Sequence, residues 1–177
     1  FPTRRSSDLG TNGEIVFGNS DFMFSCACSA GPAFEGGDIS CGMRATDGAI
    51  EACTIDEETM EPAYSVVGDP GTKPVGICGS GIIDIIAELF RCKIISPKGK
   101  FIREGKRVRH DEHGMGSYVI AFQEEAGSVK DVEITEVDID SFIRAKGAIF
   151  SAIRTMLSYC DFDVSMIEHV YVAGGRS

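Results

Sequence analysis

Asp8-Leu9-Gly10-Thr11-Asn12-Gly13-Glu14 constrains this chain more than any other stretch. An acid precedes two glycines that bracket a threonine and an asparagine, and the chain then turns apolar through Ile15, Val16 and Phe17. Gly10 and Gly13 permit backbone angles and close approaches that other residues resist. Thr11 and Asn12 bring a hydroxyl and an amide, and the free N–H groups of such a loop can face an anion. Asp8 stands where a carboxylate orders Mg²⁺ or its water. One reading of residues 8–14 is therefore a phosphate loop with a metal beside it. The other is an ordinary hairpin turn, for which Asn-Gly is a strong signal.

The 177 residues suffice for one domain with a real core. A net charge of −10 argues against a nucleic-acid backbone as partner. No apolar run reaches the length of a membrane span, and no apolar segment follows the polar, basic first residues as in a signal peptide. A cytoplasmic protein with neither membrane nor nucleic acid as partner is expected. The seven cysteines fit reduced, mostly buried thiols. Cys26-Ala27-Cys28 is the one close pair, on one face if the segment is a strand, and a metal pair there is the alternative.

Taken in order, residues 1–7 read as a non-native or disordered start, because a loop such as 8–14 normally hangs from a buried apolar strand. Residues 14–18 and 22–26 read as a hairpin around a turn at 18–21. The small, glycine-rich segment 29–37 carries one acid, Glu35, which suits orienting water or magnesium, or else marks a helix start. Arg44 suits a phosphate or, preferably, an ion pair with a surface acid. Strands are expected at 49–55 and 64–67, flanking an acidic loop at 56–62. Gly76-Ile77-Cys78-Gly79-Ser80-Gly81 then opens a helix with apolar residues at 82, 85, 86, 89 and 90. Ser80 is its expected N-cap. A glycine loop opening a helix suits an anion, or a helix end packed tightly on a neighbour.

His110-Asp111-Glu112-His113 reads as a metal cluster or a solvated charged loop. Strands at 117–123 and 129–134 precede a capping box, Thr135-Glu136-Val137-Asp138. It opens the longest helix, running to about Tyr159 with Phe142, Ile143, Ile149, Phe150, Ile153, Met156 and Leu157 on its apolar face. Gly147 inside it costs about 1 kcal/mol against alanine, so a close backbone neighbour is expected there. Residues 168–173 read as a buried strand that stops at Gly174-Gly175.

Three loops thus stand in sequence: 8–14, 76–81 and 170–175, with a long helix centred on Ala145-Lys146-Gly147-Ala148 between the last two. This order resembles the second lobe of the acetate and sugar kinase, heat-shock chaperone and actin superfamily. Within it the chain is most similar to the C-terminal domain of the reductive activators of corrinoid proteins. That similarity rests on the 8–16 run, Ser29-Ala30-Gly31-Pro32-Ala33-Phe34-Glu35-Gly36-Gly37, Cys41-Gly42-Met43-Arg44-Ala45 and Gly76–Gly81, and spans residues 8–175.

The resemblance implies an α/β fold, a mixed-sheet lobe of the actin-like, ribonuclease H-like ATPases. It implies ATP and Mg²⁺ as ligands, with Gly10, Thr11, Asn12 and Gly13 at the phosphates and Asp8 facing magnesium through water. Gly79, Ser80 and Gly81 join the cofactor set, Gly174 and Gly175 lie under the adenosine, and Glu35 is the candidate catalytic acid. The implied activity is ATP-dependent return of an inactivated Co(II) corrinoid to Co(I). The partner is a corrinoid iron–sulfur protein or a methyltransferase corrinoid subunit, and a homodimer is a possible assembly. The electron comes from a 2Fe–2S cluster in an N-terminal domain, whose plant-type cysteine spacing is not in this sequence. Residues 8–177 then constitute a C-terminal ATPase lobe, truncated at its end and not expected to act alone. Two other readings stand beside this one: an activator of a radical 2-hydroxyacyl-CoA dehydratase, and a non-catalytic interaction module.

Overall fold

The structure, a computed structural model, describes residues 12–29 and 31–171. β1 (Asn12–Gly18) and β2 (Met23–Ser29) pair antiparallel. Asn19 closes the turn: its N–H donates to Phe22 O at 2.9 Å, and its Oδ1 accepts from Asp21 N–H at 2.8 Å. This is the local backbone bonding that favours asparagine in turns. Asn12 and Gly13 lie at the far end of the hairpin, paired with Ser29 and Cys28. The reading of Asn12-Gly13 as a hairpin turn is therefore corrected.

β3 (Ala49–Ile55), β4 (Pro62–Val66) and β5 (Gly76–Ile77) form a second sheet in the order β4-β3-β5. β4 runs antiparallel and β5 parallel to β3, so the sheet is mixed, as expected. α1 (Gly79–Arg91) buries Ile82, Ile85, Ile86 and Leu89, one stripe at helical spacing. Full burial of such a side chain is worth about 1.5–3 kcal/mol, so this face holds the helix down. Ile83 and Phe90, on the outer face, stay exposed.

β6 (Val108–His110), β7 (Gly116–Ala121) and β8 (Val132–Thr135) make an antiparallel third sheet in the order β6-β7-β8. Tyr118 is fully buried, and its hydroxyl donates to Met60 O at 2.8 Å, which satisfies the polar end of the ring. β8 runs directly into α2 (Glu136–Tyr159) through the expected capping box. Asp138 N–H donates to Thr135 Oγ1 at 3.2 Å, and Thr135 N–H donates back to Asp138 Oδ2 at 2.8 Å. The core joins the second and third sheets and both α-helices through Ile50, Ile77, Ile82, Ile134 and Ile139.

Three expectations about the last third are corrected. Among the described residues nothing beyond the helix's own turns lies within 4 Å of an added Cβ at Gly147, so no described backbone approaches it there. The predicted apolar face of α2 is only partly covered. Met156 and Leu157 are buried and Phe142 packs on the core, while Phe150 is 60% exposed. Residues 168–171 form no strand, and Val170 and Tyr171 are exposed. An apolar run becomes a buried strand only where a neighbour takes its backbone bonds, and none of the described strands pairs with it. No helix among the described residues is long and apolar enough to cross a membrane.

Candidate functional site

Asp8, Gly10, Thr11, Gly174 and Gly175 lie outside the described residues. Asn12 and Gly13 begin β1, so the last three residues of the 8–14 motif pair in the hairpin ladder. Glu35 ends a short 3₁₀ helix, Pro32–Glu35, rather than starting a helix. The helix-start reading of this acid is therefore corrected. Gly36 follows at φ +79°, and the N–H groups of Gly36 and Gly37 bond Ala33 O and Pro32 O at 3.2 and 2.9 Å. A left-handed residue there ends the turn, which is the usual task of glycine at a helical end.

The segment after Glu35 is closed on itself by contact. A Cβ at Gly42 would stand 1.9 Å from Gly36 O, and one at Gly36 would stand 2.7 Å from Met43 N. From this unit the chain reaches two other parts of the candidate site. Ile77 N–H donates to Cys41 O at 2.8 Å, and Met43 N–H donates to Ile77 O at 2.9 Å, so the segment is stitched to β5 just before α1. Ser40 donates to the Asp138 carboxylate at the start of α2, from its backbone N–H at 2.8 Å and its hydroxyl at 3.0 Å. The structure thus brings together the Glu35 segment, the 76–81 loop and the start of α2.

At the 76–81 loop the N-cap is Cys78, not Ser80, and it makes no side-chain cap. Ser80 Oγ instead donates to Glu51 O at 2.7 Å. An added Cβ at Gly81 would come within 2.2 Å of Ile50 O. A serine and a glycine here are accounted for by seating α1 against β3, the tight-packing alternative for this loop. Arg44 is exposed, and among the described residues it makes no ion pair, so the favoured surface pair is corrected.

A cavity of about 370 Å³ separates the 3₁₀ segment from α2. Gly31, Pro32, Ala33 and Asp38 form one wall, and Ser141, Arg144, Ala145 and Ala148 the other. Asp38, Ser141 and Arg144 were not singled out from the sequence. Only the meeting of two segments about a hundred residues apart makes them neighbours. Arg144 also pairs with Asp140 one turn back.

The charged loop at 110–113 is explained by its own backbone. Asp111 Oδ1 accepts from the N–H groups of His113 and Met115 at 2.9 and 2.7 Å. These bonds, that to Met115 first, hold its carboxyl below the usual range. Cys26 and Cys28 share the β2 face turned to α2, where Cys160 also lines the groove. Burial pushes the Cys53 thiol up to about 12, with Glu88 and Asp84 adding to the effect. A thiol that stays protonated is neither nucleophile nor metal ligand. Among the described residues no group of three or more His, Cys, Asp or Glu side chains is placed to hold a metal ion.

Comparison with known proteins adds four findings. Residues 6–176 match the family model described as the C-terminal domain of RACo, the ASKHA domain. The chain is 37% identical over 175 residues to the corrinoid activation enzyme RamQ of Eubacterium limosum, covering 94% of this chain and 29% of that protein. It is 28% identical over 187 residues to the [Co(II) methylated amine-specific corrinoid protein] reductase of Methanosarcina barkeri, covering 95% and 31%. Among solved structures, a reductive activator for corrinoid, iron–sulfur protein superposes with a TM-score of 0.81 at 50% identity, covering 90% of this chain and 25% of that one. The chain therefore spans less than a third of the length of these relatives.

Proposed function

This chain belongs to the RACo C-terminal ASKHA-domain family, and from that premise we propose that it is the ATP-binding lobe of a reductive activator. The complete activator returns an inactivated Co(II) corrinoid to Co(I) on a partner methyl-transfer protein. One observation carries the reading: the chain superposes over 90% of its length, at 50% identity, on a reductive activator for corrinoid, iron–sulfur protein. It acts in the cytoplasm, and its partner is a corrinoid iron–sulfur protein or a methyltransferase corrinoid subunit. A homodimer is the proposed assembly.

In this reading Gly10, Thr11, Asn12 and Gly13 hold the phosphates with backbone N–H and side-chain groups, and Asp8 faces Mg²⁺ through water. Gly79, Ser80 and Gly81 border the nucleotide, and Gly174 and Gly175 face the adenosine. Magnesium, when bound, supplies positive charge against the phosphate oxygens. The described part of the chain fits this role: the hairpin ladder runs to Asn12, and the 370 Å³ cavity offers the Arg144 and Ser141 side chains beside the Glu35 segment. Glu35 orients the attacking water.

The 2Fe–2S cluster does not fit here, because the described cysteines are dispersed and form no such ligand group. It belongs to another domain of the activator. Held there, it would supply the one electron that Co(II) needs to become Co(I). ATP supplies the driving force by favouring the lobe arrangement that binds the reducible state better.

The test uses the complete activator with MgATP and a Co(II) corrinoid protein. ATP hydrolysis together with the Co(I) absorption spectrum is expected. Glu35→Gln lowers turnover by about 10²–10⁴-fold with MgATP affinity retained. Hydrolysis without any Co(I) spectrum overturns the corrinoid assignment, and absence of MgATP binding overturns the ATPase reading altogether.

A further inference from the structure

We infer that Asp138 is a positioning residue that sets the spacing between the glycine segment 31–43 and α2, and so shapes the cavity between them. The inference rests on the nucleotide reading above. Asp138 is 1% exposed, and a carboxylate so buried is stable only when its oxygens are bonded. The capping box uses Oδ2, which accepts from Thr135 N–H and Thr135 Oγ1, both at 2.8 Å. Oδ1 serves no part of the cap. It accepts from Ser40 N–H and Ser40 Oγ, 98 residues away in sequence. One carboxylate thus does two jobs, and only the first belongs to the helix.

The second job has a location. Ser40 sits inside the closed unit of Gly36, Gly42 and Met43, whose other side is stitched to Ile77. That unit cannot shift without breaking its contacts with β5. Ser141, on the far wall of the cavity, lies one turn beyond Asp138. The Asp138–Ser40 bonds therefore transmit the position of α2 to the wall formed by Gly31, Pro32, Ala33 and Asp38.

Two substitutions separate the jobs. Ser40→Ala removes the hydroxyl bond to Oδ1 and leaves the cap intact. Thr135→Ala removes the cap hydroxyl and leaves Ser40 in place. In the complete activator, MgATP affinity is measured by titration calorimetry and stability by thermal unfolding. Ser40→Ala is expected to raise the MgATP Kd about fivefold with little change in Tm, and Ser40→Thr, which keeps the hydroxyl, to restore it. Thr135→Ala is expected to lower Tm with the Kd within about twofold of wild type. Wild-type binding with an unchanged Kd in Ser40→Ala overturns this inference alone and leaves Asp138 a helix cap. No MgATP binding by the wild type overturns the nucleotide reading and this inference with it.

Discussion

The two ends of α2 belong to different kinds of structure. Its first turns carry Ile139, fully buried, and Ala145, and join the core built by β3, α1 and the β6-β7-β8 sheet. Its last turns lie over the β1-β2 hairpin, where Phe150 and Tyr159 are exposed, as are Val16 and Met23 of the hairpin itself. The first region is held by many interlocking apolar contacts. The second depends on fewer: buried Met156 and Leu157 of the helix, and Phe162, whose ring stands 5.1 Å from Phe17 and 5.7 Å from Phe22. A two-stranded hairpin is marginal by itself and needs a packed face to persist. The difference teaches that stability and the proposed phosphate site are lodged in different places. The core half carries the fold, and the hairpin half carries Asn12 and Gly13 of the proposed phosphate site.

The sharpest test removes one side chain from each region. Ile82→Ala, in the core, is expected to cost about 3–5 kcal/mol in denaturant unfolding. Met23→Ala, on the exposed hairpin, is expected to change stability by less than about 0.5 kcal/mol. Equal losses would break the comparison. Phe162→Ala comes next, with an expected loss of about 1–2 kcal/mol from a half-buried ring. Amide exchange should quicken in β1 and β2 and stay slow in β3 and β7, because local opening follows local packing.

A smaller effect concerns acid. Arg107, buried beside β7, donates through Nε to Glu61 at 2.7 Å, and this bond holds the Glu61 carboxyl below its usual range. A depressed folded-state pKa contributes stability that is present above the unfolded value and lost as pH falls through the folded one. Unfolding between about pH 5 and pH 2 should therefore show a shallower loss of stability in Glu61→Gln than in wild type. An identical slope would remove this pair from the account. Because Glu61 is half exposed, the change is expected to be small. Smallest of all, Gly147→Ala should stabilise α2 by at most about 1 kcal/mol, since among the described residues nothing beyond the helix's own turns waits within 4 Å to meet the added methyl. A loss instead would mean that a neighbour approaches Gly147 when the protein works.

Much of the local structure was legible in the residues. The strand at 49–55, the capping box at Thr135 and the end of α2 at Tyr159 all follow from periodicity and cap chemistry. Misreadings arose where a local signal had two meanings. Asn12-Gly13 reads as a turn, yet Asn19 holds the turn and Asn12 pairs in the ladder. Ser80 reads as a cap, yet its hydroxyl reaches Glu51 because α1 is pressed against β3. The segment 168–173 reads as a buried strand, yet pairing requires a neighbour that the local sequence does not specify, and its described part, 168–171, pairs with none of the described strands.

The candidate site divides in the same way. Glycine-rich segments and their order could be read directly, and so could the family they resemble, because backbone freedom and cap chemistry are properties of neighbouring residues. The tie from Asp138 to Ser40, the closure of Gly36 on Gly42 and the cavity bounded by Asp38 and Arg144 could not be read. These depend on segments far apart in the chain meeting at hydrogen-bond or van der Waals distance. That meeting is decided by how the helices and sheets pack, and only the tertiary structure contains it.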